Sequence, residues 1–247
     1  MNFNIKFNFA NFITNFCPSN LNNKILLYHS ITNSLKQDIF SVDKNKFEKQ
    51  LKLLKKFYEN DLRNIDENLK YNSSITLSFD DGKADNFFTA YPLINKYKIP
   101  TIFFISTSKI GKEGYLSNNM IKEMNNNKYI DFGLHGHNHV SFADLDINSI
   151  KYEMDTSKKI LEDLLEKKIK FFSYPYGSLS KKTKSYFKKN EDMYCFDSIN
   201  STFNIDNYDY LQIPRISIWN LDIENSFKNK INGKWDFLNK FQKNNVR

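Results

Sequence analysis

ITLSFDDG, residues 75–82, sets five strand-forming residues before two carboxylates and a glycine. IDFGLHGHNH, residues 130–139, follows the same plan with three histidines after the apolar run. Short apolar runs bounded by polar turn residues read as buried strands. Working outward, the runs Lys24–Tyr28, Thr101–Ile105, Lys170–Tyr174 and Leu211–Ile218 give four more strands. Helical stripes lie between them. Asp43–Tyr58 carries Phe47, Leu51, Leu54 and Phe57, and Ile147–Lys168 carries Ile150, Met154, Ile160, Leu161 and Leu164. Further helices are expected over Asp85–Tyr97, Ser117–Asn126, Ser180–Lys188 and part of Ile223–Phe241. Strands alternating with helices predict an α/β fold built on a parallel sheet or barrel. No Pro/Gly/Ser-rich linker or internal repeat divides the chain. One domain is therefore expected over 24–241, with 1–23 as a peripheral N-terminal segment and 242–247 as a tail.

The length, 247 residues, suits a single α/β barrel, and 40% hydrophobic with 26% charged residues excludes a disordered or fibrous chain. Asn, Lys, Ile, Phe and Tyr are abundant beside 7 Gly and 5 Pro, as an AT-rich coding bias would produce, so the net charge of +8 carries little weight. Its lysines are scattered, without an Arg-rich arm or a nucleic-acid-binding signature, and no nucleic-acid partner is expected. Peripheral association with a membrane through the basic surface stays open. Cys17 and Cys195 are far apart and form no CxxC, so neither a disulfide framework nor a thiolate zinc site is indicated. The N-terminal MNFNIKFNFANFITNF lacks a continuous apolar core and a small-residue cleavage site, and no run is long enough for a transmembrane segment. A cytoplasmic location is the expectation.

The polar residues gather at the downstream ends of the predicted strands: His29 after ILLY, Asp80 and Asp81 after ITLSF, His135 to His139 after IDFGL, and Tyr176 after FFSYP. In parallel α/β architectures that edge builds the active site. Two imidazoles and a carboxylate suit a divalent metal with positions left open, and Asp81, His135 and His139 supply that set. A metal so bound acidifies water and polarises a carbonyl, and the neighbouring Asp80 is placed to take the water proton. Each motif has a plainer reading when taken alone. Asp-Asp-Gly is commonly a turn, and a histidine cluster is at times a solvated loop. Their coincidence at matching strand ends favours chemistry.

SFDDG, HGHNH and YPYG, in this order and spacing, resemble the polysaccharide deacetylases, carbohydrate esterase family four. The usual signatures there are TFDDG, H-[ST]-x-x-H and R-x-P-[YF]-G. The resemblance covers most of Ile25–Ile218 and includes the apolar run ending in YH. It implies a single-domain distorted (β/α) barrel, seven-stranded and of the polysaccharide deacetylase type. At the matching positions it implies Asp80 as catalytic base, with Asp81, His135 and His139 as ligands of a divalent metal, expected to be zinc. It also implies that Tyr176 offers its backbone N–H to the oxyanion, while Pro175 and the Tyr176 ring shape the substrate groove. His137, between the two ligands, is either a substrate contact or a polar loop residue.

Two departures matter. Ser173 stands where the third motif usually begins with an arginine that orients the aspartate. Arg215, in IPRIS, is the candidate replacement, and a structural ion-pair member is the equally weighted alternative. No histidine follows His139, whereas the family's usual general acid is a late histidine. Some members with an early YH strand use that histidine instead, which makes His29 the candidate acid; a hydrogen-bonded structural histidine is the alternative. The implied reaction is hydrolysis of an N-acetyl group on an amino sugar of a poly- or oligosaccharide or its activated precursor, with release of acetate. Rivals are removal of a formyl group, hydrolysis of another C–N bond, and a catalytically inactive carbohydrate-binding relative. Trp219 and Tyr174 are read either as a sugar-stacking surface or as core aromatics.

Overall fold

Successive strand residues point to opposite faces of a sheet, and here both faces are apolar, so the strands separate two cores. The computed structural model describes residues 3–33, 38–190 and 192–238. Seven parallel strands form the main sheet: β1 (Lys24–Tyr28), β4 (Ile75–Phe79), β5 (Thr101–Ile105), β6 (Ile130–Leu134), β7 (Phe171–Ser173), β8 (Tyr194–Phe196) and β9 (Ile216–Ser217). Their order is β8-β7-β6-β5-β4-β1-β9, and β2 (Ser30–Thr32) with β3 (Ser41–Asp43) makes a separate parallel pair. Ile25, Ile102, Phe104, Phe171, Phe196 and Ile213 pack together on the inner face. Their neighbours Leu26, Phe103, Ile105, Phe172 and Cys195 belong to the second core, shared with the helices.

The helices are α1 (Phe3–Ile13), α2 (Lys44–Tyr58), α3 (Ile65–Asn68), α4 (Tyr91–Tyr97), α5 (Asn118–Asn125), α6 (Ile147–Leu165), α7 (Lys181–Asn190) and α8 (Glu224–Ile231). Asp43 caps α2 by accepting the N–H groups of Asn45 and Lys46, and Asp146 caps α6 through Ser149 N–H. The expected helix from Asp85 to Tyr97 is divided. Pro92 has no N–H to give back to the preceding turn, and a π-helical stretch, Asn86–Ala90, leads into α4. Within the segment 1–23, α1 sets Phe7 and Ala10 against Trp235. The expected tail, 242–247, and the domain's end at 241 lie outside the described residues.

Barrel closure differs from the sequence reading. Leu211–Ile218 reads as one strand, but it is interrupted at Pro214, which cannot donate to a ladder, into a single bridge at Ile213 and the short strand Ile216–Ser217. On one side of Pro214, Ile213 donates to Cys195 C=O at 2.8 Å and accepts from Asp197 N–H at 3.0 Å. On the other side, Ile216 and Ser217 pair with Leu26 and Leu27 of β1. One irregular segment thus touches both edges of the sheet and closes the distorted barrel. Strand β8 is not among the predicted ones; three residues, Tyr-Cys-Phe, leave no periodicity to detect.

Gly133 lets two cores meet the same strand. A Cβ there would stand 2.5 Å from two carbons of the Phe104 ring and 3.0 Å from Phe171 C=O. Gly133→Ala should therefore cost about 1–3 kcal/mol through overpacking. Urea unfolding measures it, and a midpoint equal to the parent's would contradict this account of the inner core.

Candidate active site

Toward the C-terminal ends of the strands the inward positions turn from apolar to polar: Ser78, Asp80, His135, Ser173 and Arg215 are all buried. They lie beneath a cavity of ≈ 660 Å³ whose lining includes His29, Asp80, Asp81, His135, His139 and Tyr176. Four strand ends, those of β1, β4, β6 and β7, supply these groups. The turns after β4, β6 and β7 are sharp. Of the six non-glycine residues with positive φ among those described, Asp81 (73°), His139 (59°) and Tyr176 (62°) are at this cavity. Left-handed backbone at bulky residues is costly and persists where the surroundings impose it.

Asp81, His135 and His139 each present one ligand atom, and the three atoms lie within 4.8 Å of one another. Asp81 Oδ1 is 3.0 Å from His139 Nε2 and 3.6 Å from His135 Nε2. His135 Nδ1 is 2.8 Å from Ser173 C=O. A carbonyl only accepts, so Nδ1 carries a proton and Nε2 is the atom turned toward Asp81. His139 Nδ1 meets the Tyr176 hydroxyl at 3.1 Å. This donor set, with its imidazoles oriented from behind, fits a divalent metal.

Arg215, fully buried, grips Asp80 with both arms: Nη1 to Oδ1 and Nη2 to Oδ2, each 2.7 Å. Nη2 also donates to Ser173 Oγ at 2.8 Å, Nε to Asp197 C=O at 2.8 Å, and the guanidinium rests 5.3 Å from the Phe104 ring centroid. Ser173 Oγ donates in turn to Asp80 Oδ2 at 3.2 Å. Arg215 belongs to a buried ion pair, and its partner is Asp80. The small Ser173, where the usual motif has its arginine, leaves room for a guanidinium that arrives from another segment.

Burial by itself would raise the Asp80 carboxyl, but Arg215 and His135 beside it hold it below the ordinary carboxylate range. Burial opposes ionisation of Asp81 too, and its bonds to His135 and His139 outweigh that. His29 is pushed below the usual imidazole value by burial, against the pull of Asp80 and Asp81. Its ring leans on Phe40, with centroids 5.2 Å apart.

Other expected residues are placed differently. His137 is not in the cavity lining: Nδ1 bonds Thr107 Oγ1 at 2.9 Å and its ring meets Tyr152, because alternate residues of this tight loop face opposite ways. Pro175 is buried within its turn and Gly177 lines the cavity in its place. Tyr174 is core, bonded to Leu211 C=O, whereas Trp219 lines the cavity. Glu153 was not anticipated. From inside α6 its carboxylate accepts the N–H groups of His137 and Asn138 at 2.7 and 2.8 Å and the Asn138 side-chain amide at 2.7 Å, shaping the histidine loop. A glutamate beside Ile150 and Met154 on the buried stripe was its only signal. Lys230, fully buried, donates to Ser217 C=O and Asp222 and stands 4.0 Å from the Trp219 ring centroid, steadying that wall.

Asp197, whose carbonyl braces Arg215, has a buried carboxyl pushed up to about 7 by burial, against the pull of the Ile199 N–H at 2.9 Å. The folded chain therefore holds this proton between pH 3.8 and about 7 while the unfolded chain has released it, and stability falls as pH rises through that window. Asp197→Asn should remove this component. Its melting temperature relative to the parent's should rise from pH 4 to pH 8, and a difference independent of pH would contradict the assignment.

A family model described as polysaccharide deacetylase matches residues 69–193, a span that contains the DDG, HGHNH and YPYG motifs but neither His29 nor Arg215. A poly-β-1,6-N-acetyl-D-glucosamine N-deacetylase of Staphylococcus aureus is 28% identical over 92% of this chain and 79% of its own length. Among solved structures, the deacetylase PplD of Streptococcus pyogenes aligns at a TM-score of 0.77 with 22% identity, covering 85% of this chain and 98% of that one. A polysaccharide deacetylase of Bacillus cereus aligns at 0.75 with 23% identity over 84% of this chain and 68% of that one. These two likenesses establish the fold.

Proposed function

This chain belongs to the polysaccharide deacetylase family and is a carbohydrate deacetylase, a hydrolase, and from that premise we propose that it removes acetyl groups from the N-acetylated amino sugars of a β-linked polymer or oligomer. The observation that carries the reading is the Arg215-clamped Asp80 lying directly beside the cluster of Asp81, His135 and His139. The named substrate of the Staphylococcus aureus relative, poly-β-1,6-N-acetyl-D-glucosamine, supports the substrate class.

In this reading Asp81, His135 and His139 hold a divalent metal, and zinc is proposed because two imidazoles and one carboxylate suit it. Bound there, such an ion supplies Lewis-acid polarisation of the acetyl carbonyl and a water of lowered pKa. Asp80, kept ionised by Arg215, accepts the proton of the attacking water as its oxygen adds to the carbonyl carbon. The Tyr176 backbone N–H, in a left-handed turn at the cavity, is the donor assigned in this reading to the developing oxyanion. His29 gives a proton to the departing nitrogen as the C–N bond breaks, leaving acetate and a free amine. Its position supports that role. Tyr28 of β1 pairs with Phe79 of β4, so His29 follows β1 beside Asp80 and lines the same cavity. Phe40, Tyr176 and Trp219 offer aromatic walls to sugar rings.

Asp80→Asn should reduce deacetylation of an N-acetylglucosamine oligomer by about 10²–10⁴-fold with the metal content unchanged. His135→Ala should lose the metal and the activity together. Acetate release and metal analysis report both, and an active Asp80→Asn enzyme would exclude Asp80 as the base. His29 is tested by leaving group. An aryl acetate needs no protonation of its departing phenolate, so His29→Ala should lose about 10²-fold or more on the sugar amide and far less on the ester. Equal losses on the two substrates would remove His29 from the acid role.

A further inference from the structure

Helix α1 is apolar on two opposite sides, and among the described residues only one of them packs against the rest of the protein. Phe7 and Ala10 face the protein, packed with Trp235. Ile5, Phe9 and Phe12 are 53%, 61% and 59% exposed. At 100° per residue these three fall within an arc of about 60°, opposite the packed side. Phe16, in the 3₁₀ turn that follows, extends the stripe at 77% exposure and lies 5.6 Å from Phe12, ring to ring. A surface helix normally presents a polar outer face, and a continuous exposed aromatic stripe marks a surface that meets something else.

Helix α8, packed against the inner side of α1, brings a basic groove beside it. α8 is tied to the first segment through Asn229 Nδ2 to Thr14 Oγ1 at 2.9 Å and through Lys230 against the Phe7 ring. Around the same helix, Lys228 and Phe227 border a groove shared with α2. Its rim carries Lys49, Lys52, Lys56 and Lys228 with the exposed apolar Phe57 and Ile223. Lys52 and Lys228 have carboxylate neighbours, Glu48 and Glu224. Among the described residues no ion pair involves Lys49 or Lys56, and positions 3–16 contain one lysine, Lys6, and no acidic side chain.

We propose that α1 lies in the plane of an anionic lipid surface, with Ile5, Phe9, Phe12 and Phe16 entering the headgroup boundary and the lysines of the α2–α8 groove contacting acidic headgroups. Aromatic residues beside lysines suit an interfacial helix. An 11-residue helix is too short to span a bilayer, and no helix among the described residues is long and apolar enough to do so. A second copy of the chain suits the face less well, since a two-fold contact sets the same patch against itself and would oppose lysine to lysine. The groove wall also includes Asp222 and Ile223, a few residues past Trp219 of the catalytic cavity, so docking here would bring that cavity near the bilayer surface.

Co-sedimentation of the full chain with vesicles tests this, using phosphatidylcholine with one third phosphatidylglycerol and phosphatidylcholine alone. The parent protein should pellet with the anionic vesicles and much less with the neutral ones. Phe9→Ser/Phe12→Ser should weaken binding at least about tenfold, and Lys49→Gln/Lys56→Gln should lower it on anionic vesicles selectively. Both pairs are exposed and outside the catalytic cavity, so circular dichroism and deacetylation of a soluble oligomer should be unchanged. Absence of parent binding, no preference for anionic vesicles, or equal binding by the Phe variant would overturn the proposal. So would a dimer seen by sedimentation velocity that the Phe substitutions dissolve while no vesicles bind.

Discussion

A guanidinium inside a barrel must have its hydrogen-bonding groups matched, because removing the charge from water costs several kcal/mol that only close and complete pairing offsets. Arg215 meets that condition through Asp80, Ser173 and the carbonyl of Asp197, with the Phe104 ring beneath it. The condition fixes more than one side chain. Arg215 lies between Ile213, bonded to β8, and Ile216, paired with β1. The segment that seats the arginine is thus the segment that closes the barrel, and closure and construction of the site are one structural event.

The same logic extends outward from Asp80. Its ionised form is maintained by Arg215 and His135, while Ser173 serves both neighbours, with its hydroxyl on the aspartate and arginine and its carbonyl on His135 Nδ1. One small residue thus touches the aspartate, the arginine and the imidazole. The histidine loop is held separately, by Glu153 from α6, and its glycine is required. Gly136 has φ of 70°, and a Cβ there would approach Glu153 Oε2 and the Phe142 ring to 3.2 Å. Asp81, His139 and Tyr176 all take left-handed backbone at the cavity, a conformation that persists only where the surroundings impose it.

Helix α1 shows the limit of reading pattern as burial. Its aromatic residues recur at helical spacing, and the sequence separates Phe7, which packs on Trp235, from Phe9 and Phe12, which stand exposed, only by their angle around the axis. Which of two apolar faces meets the protein depends on where α8 lies. Composition could not supply that.

The chain's own residues determined the strands that reach the cavity and the cluster of Asp81, His135 and His139, since ITLSFDDG and IDFGLHGHNH each hold strand, turn and polar side chains within ten consecutive residues. Short range made them legible. The part of Arg215 was undecided there because it stands 135 positions from Asp80, and Ser173 was visible only as a missing arginine. β8 was too short to carry a period, and Pro214 concealed that one segment serves two edges. His137 and Pro175 sat inside the right motifs yet face away from or lie beneath the cavity, since a sharp turn sends adjacent side chains in different directions. Local spacing names the groups that can do chemistry. Only closure of the barrel decides which of them meet, because the pairing energy of a buried charge is realised between residues that the chain itself holds far apart.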